Sequence, residues 1–198
     1  MSPVSGVQPA AMQRELLTGL LEDHASGAHL CVIGGKGSGK SMAAQLFARR
    51  LGYVQELFPL YKDMSTRDLL QRRATDASGG STWHASPLVS SAVRGRLSVL
   101  DGAHRLPGDS LAVLQRLLLD AEMDLPDGSR LVPLGAYREY ARRIGHEACD
   151  AADERNLPGL PFGGGGGGGG GGGVAGMRLM YAVHPSFRVM ALAEPPST

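Results

Sequence analysis

Lysine is scarce in this chain. Three of its 198 residues are lysine, and two of the three, Lys36 and Lys40, stand four positions apart. Cysteine is scarcer still. Cys31 and Cys149 alone do not make a disulfide framework, and Cys31, inside an apolar run, reads as a core residue. His146 and Cys149 have ligand-like spacing, but there is no second pair to complete a zinc site. Charge of either sign is not in excess: the formal net charge is +1, which gives no reason to expect nucleic acid or an anionic membrane as the main partner. Pairs such as Arg72-Arg73 and Arg142-Arg143 read as solvated faces. No apolar run reaches the ~20 residues of a membrane span. The N-terminal stretch carries Glu15, Glu22 and Asp23 and has neither a secretory apolar core nor the acid-poor make-up of a transit peptide. The one tryptophan, Trp83, reads as a packing residue. The chain therefore reads as soluble, from a reducing compartment, and long enough for one domain with a sizeable core.

The two clustered lysines mark the most informative stretch. Leu30–Ile33 is a short apolar run with a β-branched pair, the pattern of a buried strand. Gly34, Gly35, Lys36, Gly37, Ser38, Gly39, Lys40 and Ser41 then fit G-x-x-x-x-G-K-[ST], the phosphate-binding loop. From Met42 onward, apolar residues fall at helical spacing: Met42, Leu46, Phe47 and Leu51. Strand, glycine loop and helix is the context this motif needs. Glycines let the backbone close around phosphate oxygens, and successive N–H groups and the helix N-terminus then face the anion. Lys40 is placed to reach the β- and γ-phosphates, and the Ser41 hydroxyl to ligate Mg²⁺. The competing reading is a glycine-rich turn with no ligand.

Along the chain, residues 10–23 carry an amphipathic helical pattern. Residues 54–60 form a strand candidate, 66–74 a short charged segment, and 76–81 a polar loop. Pro87–Arg94 reads as a helix with Pro87 in its first turn and Gly95 as its stop. Leu97–Asp101 is an apolar strand ending in an aspartate. After a phosphate loop this is the Walker B pattern, with Asp101 on the Mg²⁺ side; the alternative is an aspartate closing a strand into a turn at Gly102. Residues 109–120 read as one helix with Asp109 as its cap and Leu111, Leu114, Leu117 and Leu118 on one face. Asp127-Gly128 sits between two short runs, a hairpin signal. Residues 137–144 form a basic helix candidate. Residues 163–173 are uninterrupted glycine, expected to be flexible within an insertion at about 146–176. Residues 187–193 read as a last buried strand, stopped by Glu194-Pro195-Pro196. Strands alternating with helices give an α/β class with a mainly parallel sheet flanked by helices.

These stretches together resemble an AAA+ ATPase of the dynein-related class, which includes the MoxR and midasin proteins. The resemblance rests on the phosphate loop, WHASPLVSSAVR at 83–94, the strand ending at Asp101, the helix at 109, the Asp127-Gly128 hairpin and HPSFRVMALAEPP at 184–196. LYKDMSTRDLLQRR at 60–73, VLDGAHRL at 99–106 and ALAEPP at 191–196 resemble, more closely, the first ATPase module of the von Willebrand factor A domain-containing protein 8 family. The resemblance implies a P-loop NTPase core of strand order 5-1-4-3-2, in a ring or tandem of similar modules, and a mitochondrial protein. The resemblance covers most of residues 10–134 and 177–196; residues 10–198 are expected to form this core after a disordered 1–9, with strand 5, the helical lid, sensor 2 and the arginine finger outside this chain, as in a fragment of a larger protein. It transfers residues 34–41 as the nucleotide loop, with Met42 at the helix start, Asp101 as the Mg²⁺-side carboxylate and Glu194 at the position of sensor 1. Two residues depart from the family pattern. Gly102 stands where a glutamate usually polarises the attacking water, and Glu194 where a neutral polar residue is usual.

Three functions fit to different degrees. An ATP-hydrolysing module uses Lys40, Asp101 and Glu194, with ATP and Mg²⁺ as cofactors and other AAA+ modules as partners; Glu194 or His104 would substitute for the glutamate missing at Gly102. A structural nucleotide-binding module with little or no turnover fits Gly102 better. A small-molecule P-loop kinase would need an acceptor pocket and a basic lid, and the Asp127-Gly128 hairpin before the last strand argues against it.

Overall fold

The computed structural model describes residues 11–75, 80–146, 159–162 and 178–196. The chain enters through α1 (Ala11–Ala25), which turns Leu17, Leu20 and Leu21 inward. β1 (Leu30–Ile33) runs into the glycine loop and α2 (Lys40–Leu51), which Gly52 ends in the left-handed region at φ 71°. β2 (Gln55–Pro59) is followed by α3 (Thr66–Leu70), whose start is a capping box: the Ser65 hydroxyl accepts from the Asp68 N–H, and the Asp68 carboxylate accepts from the Ser65 N–H. That backbone bond, ahead of the nearby Arg72, holds the Asp68 carboxyl below its ordinary pKa. β3 (Gln71–Thr75) and β4 (Ser81–Ala85) pair antiparallel. α4 (Pro87–Arg94) starts at a Ser86 cap and stops at Gly95. β5 (Leu97–Asp101) opens into a 3-10 turn over Ala103–Arg105. The rest comprises α5 (Gly108–Ala112), α6 (Gln115–Asp120), β6 (Met123–Asp124), β7 (Arg130–Pro133), α7 (Leu134–Arg143), β8 (Leu160–Phe162), β9 (Arg178–Val183) and β10 (Arg188–Ala193).

The main sheet has the order β1-β10-β5-β2, and all its pairs are parallel. This is the expected order 1-4-3-2; a strand on the far side of β1 is not among the described residues. Register aligns the four C-terminal ends, with Ile33 opposite Ala193, Leu192 opposite Asp101, and Asp101 opposite Pro59. Everything that follows these strands therefore gathers along one edge of the sheet. One face packs on α1 and α2 through Leu30, Val32, Leu97, Val99, Met190 and Leu192, with Phe47 wholly buried among them; burying that ring contributes about 2–3 kcal/mol. The other face, with Phe58, Leu100 and Val189, packs on α3, α4, α6 and a second sheet of order β6-β7-β9-β8. The core is thus an α/β sandwich whose main sheet has helices on both faces.

Several expectations change. Cys31 is exposed, not buried, and Ile33 is 66 % exposed. The reason is that β1 is an edge strand in the described residues: α1 and α2 cover its Leu30 and Val32 face, while the layer under β5 and β10 does not extend to its other face. Helix α2 buries Ala43, Ala44, Phe47 and Ala48, leaving Met42 and Leu51 part-exposed, because small alanines let the helix approach the sheet closely. The single helix expected over 109–120 is two short helices, broken at Val113-Leu114. Asp109 makes no cap bond; Pro107 occupies that position. The charged segment at 66–74 divides into α3 and β3, and β9 has no counterpart among the expected elements. The glycine run at 163–173 lies outside the described residues.

Candidate nucleotide site

The loop between β1 and α2 is shaped by its glycines. Gly37 and Gly39 have φ of 78° and 86°, a region that L side chains adopt only at a cost. At Gly34 a Cβ would lie 2.7 Å from the Ser38 Oγ, and at Gly39 one would lie 3.3 Å from the Gln13 Nε2 of α1. The backbone is pinned by Gly34 N–H to the Ala193 carbonyl and by Ser38 N–H to the Gly35 carbonyl. Gly39 forms the N-cap of α2 without a capping side chain, so the first N–H groups of the helix are left to an outside acceptor. The Lys40 ammonium folds back across the loop, donating to the Gly34 carbonyl at 2.7 Å and the Gly35 carbonyl at 2.8 Å. Lys36, Ser38, Ser41 and Met42 are exposed.

The other expected residues arrive on the neighbouring strand ends. Asp101 closes β5, and Glu194 directly follows β10, the strand between β5 and β1. The Gly102 N–H donates to the Leu192 carbonyl, which ties the two ends together. Gly102 itself lies at φ 90°, and a Cβ there would sit 3.1 Å from the Arg105 guanidinium. Arg105 in turn donates to the Leu60 carbonyl, beyond the end of β2. On the opposite side, the Glu194 N–H donates to the His104 Nδ1 at 3.1 Å. The sequence names Glu194 and His104 as separate candidates; the structure joins them. It also adds Arg105 and Gln13, for which no sequence signal exists, since neither belongs to a motif and both act through contacts across elements.

Chemically, this edge offers a cation, a row of N–H donors, an exposed hydroxyl and two carboxylates. Ser41 and Asp101 are hard oxygen donors of the kind Mg²⁺ takes alongside phosphate oxygens. Among the described residues no cluster of three or more His, Cys, Asp or Glu could hold a metal by itself, and no helix is long and apolar enough to cross a membrane. A groove of about 840 Å³ lies elsewhere, between the β3–β4 hairpin and the turn after β6. Trp83, expected to be a packing residue, lines it and is 38 % exposed.

The family model of the AAA domain (dynein-related subfamily) matches residues 29–198. Over 183 residues the chain is 40 % identical to von Willebrand factor A domain-containing protein 8 of Mus musculus, covering 92 % of this chain and 8 % of that protein. In structure it is similar to a candidate ATPase from Cytophaga hutchinsonii, with a TM-score of 0.53 and 13 % identity, over 94 % of this chain and 40 % of that one; this likeness bears on the fold alone. The chain thus spans less than a tenth of the curated relative and under half of the solved one. With its parallel sheet, its phosphate loop and a matching model over nearly all the chain, the protein belongs to the dynein-related subfamily of AAA domains.

Proposed function

We propose that this module binds ATP with Mg²⁺ through residues 34–41 and Met42, and hydrolyses it slowly. The observation that carries the reading is the convergence of Lys40, Asp101 and Glu194 along one edge of the parallel sheet. Lys40 neutralises the β- and γ-phosphates; Ser41 and Asp101 serve the Mg²⁺ side, the ion offsetting phosphate charge when bound. Asp101 is then committed, and Gly102 has no side chain to orient water. Glu194 supplies the remaining carboxylate. General acid–base help is worth ~10²- to 10⁴-fold in rate, so a displaced carboxylate gives a measurable but low turnover. The module works beside other AAA modules, in a ring or in one longer chain, and in the mitochondrion, as the family resemblance of its sequence motifs implies.

A steady-state ATPase assay on the full-length protein tests this, together with binding of a fluorescent ATP analogue. Lys40→Ala is expected to abolish turnover and weaken binding at least tenfold, because it removes a charge-assisted contact. Glu194→Gln is expected to depress turnover while binding persists. Analogue binding unchanged in Lys40→Ala would show the site to be wrongly assigned. The second reading, a nucleotide-binding structural module, is favoured by the guanidinium of Arg105 over Gly102; binding without turnover in the parent would select it.

A further inference from the structure

The turn after β5 sends its two polar side chains in opposite directions. Arg105 leans toward β2, where it donates to the Leu60 carbonyl. His104 leans toward β10, the side of the sheet that carries the phosphate loop, and its Nδ1 accepts the Glu194 N–H. A ring nitrogen that accepts a peptide N–H carries no proton of its own. In the neutral ring the proton therefore sits on Nε2, which becomes a donor. The ring is exposed, and no partner for Nε2 is seen among the described residues.

Charge decides what such a donor is for. Asp101 and Glu194 end the two adjacent strands at this point, and a nucleoside triphosphate brings several more negative charges. Lys40 approaches from the α2 side. At the ends of β5 and β10 the Asp101 and Glu194 carboxylates can only accept, and His104, bonded to the Glu194 backbone, brings a side-chain donor to that side. Glu194 cannot supply one: its carboxylate only accepts, and its backbone N–H is already given to the ring. Resting on the nucleotide-binding reading above, we propose that His104 Nε2–H recognises the terminal phosphate of the nucleotide and so distinguishes triphosphate from diphosphate. Two tasks have changed places between the strands. The phosphate-facing donor comes from the turn after β5, and the carboxylate from the end of β10. The Glu194 backbone sets the tautomer that makes this possible, while its side chain remains available to water.

The test is the ratio of affinities of the full-length protein for a non-hydrolysable Mg-ATP analogue and for Mg-ADP, measured by calorimetry. His104→Ala is expected to lose about tenfold on the analogue, the size of one hydrogen bond to a charged acceptor, and to keep its ADP affinity within about twofold. His104→Gln, which restores an N–H donor, is expected to recover most of the loss. A purely structural role would lower both affinities together and leave the ratio in place; that outcome, or no change in either, overturns the proposal. If the parent binds neither nucleotide, the broader ATP reading fails with it. If the parent binds both and only the His104 variants fail to discriminate differently, this assignment alone is wrong.

Discussion

Gly102 holds a left-handed backbone conformation, with the Arg105 guanidinium 3.1 Å from where a Cβ would begin. Any other L residue there meets a backbone cost of about 1–2 kcal/mol before Arg105 moves. Gly102→Glu is therefore expected to lower the midpoint of urea unfolding by an amount equivalent to about 1–2 kcal/mol and not to raise ATP turnover. A faster, equally stable variant would show that the turn accepts the family's glutamate after all. At this scale the sequence was only partly readable. The phosphate loop and the strand ending at Asp101 are legible as local patterns, and the structure puts Asp101 and Glu194 at adjacent strand ends. The positive φ of Gly102 and the bond joining His104 to Glu194 are not legible, since a bond between residues ninety positions apart leaves no trace in either local stretch. Cys31 failed for a related reason: alternation within a four-residue run does not reveal how far the layer beneath it extends.

The elements at the two ends of the main sheet behave differently. At the edge, β1 pairs only with β10 among the described residues and shows Cys31 and Ile33. A strand with one unpaired edge and an exposed apolar side chain invites another strand. The 198-residue chain is expected to self-associate at micromolar concentration, and Ile33→Lys to reduce that association in sedimentation; a monodisperse parent chain would count against the open edge. At the base of the sheet, α1, β1 and β10 meet around two histidines. His24 bonds the Tyr53 hydroxyl, which donates to the Ser186 carbonyl, and His29 Nδ1 accepts the Val189 N–H. Burial, then the charge of Arg188, pushes both histidine pKa values below the ordinary 6.5. The unfolded chain thus takes up protons at a higher pH than the folded one. Stability from this cluster is present above pH 6.5 and is lost as pH falls from there through the lower folded values. Urea midpoints measured from pH 7.5 to 5.5 are expected to fall, and Arg188→Gln to flatten the fall; a rise on acidification would contradict the assignment. Element types were the most legible part of the sequence. Pro87–Arg94 and Leu97–Asp101 emerge with the expected bounds, because a serine cap, a proline and a terminal glycine punctuate the first and an apolar run ending in aspartate defines the second.

Across the whole molecule, the second sheet is tied to the β3–β4 hairpin by one buried side chain. Gln71, 5 % exposed, donates from Nε2 to the Asp127 carboxylate and accepts the Asp127 N–H, both at 3.0 Å. Gln71→Ala removes both bonds and leaves a partly buried N–H without its partner. The expected loss is about 2 kcal/mol in urea unfolding, and a loss under about 0.5 kcal/mol would show that the contact does not hold the two parts together. Nothing in the sequence pairs residues 71 and 127, and the mixed second sheet was beyond local pattern for the same reason: β7 and β9 pair in parallel across a long interval, and only the Asp127-Gly128 turn announced any of it. The longest-range arrangement of all is that of α1. Gln13 at one end lies against Gly39 of the phosphate loop, and His24 near the other bonds Tyr53 at the base of the sheet. Those two residues are separated by about 16 Å of helix. The helix acts as a gauge rod, setting the height of the loop above the base. One residue inserted or removed between Gln13 and His24 would swing Gln13 about 100° around the axis and put the gauge out of phase with the loop, with every residue of the loop itself unchanged.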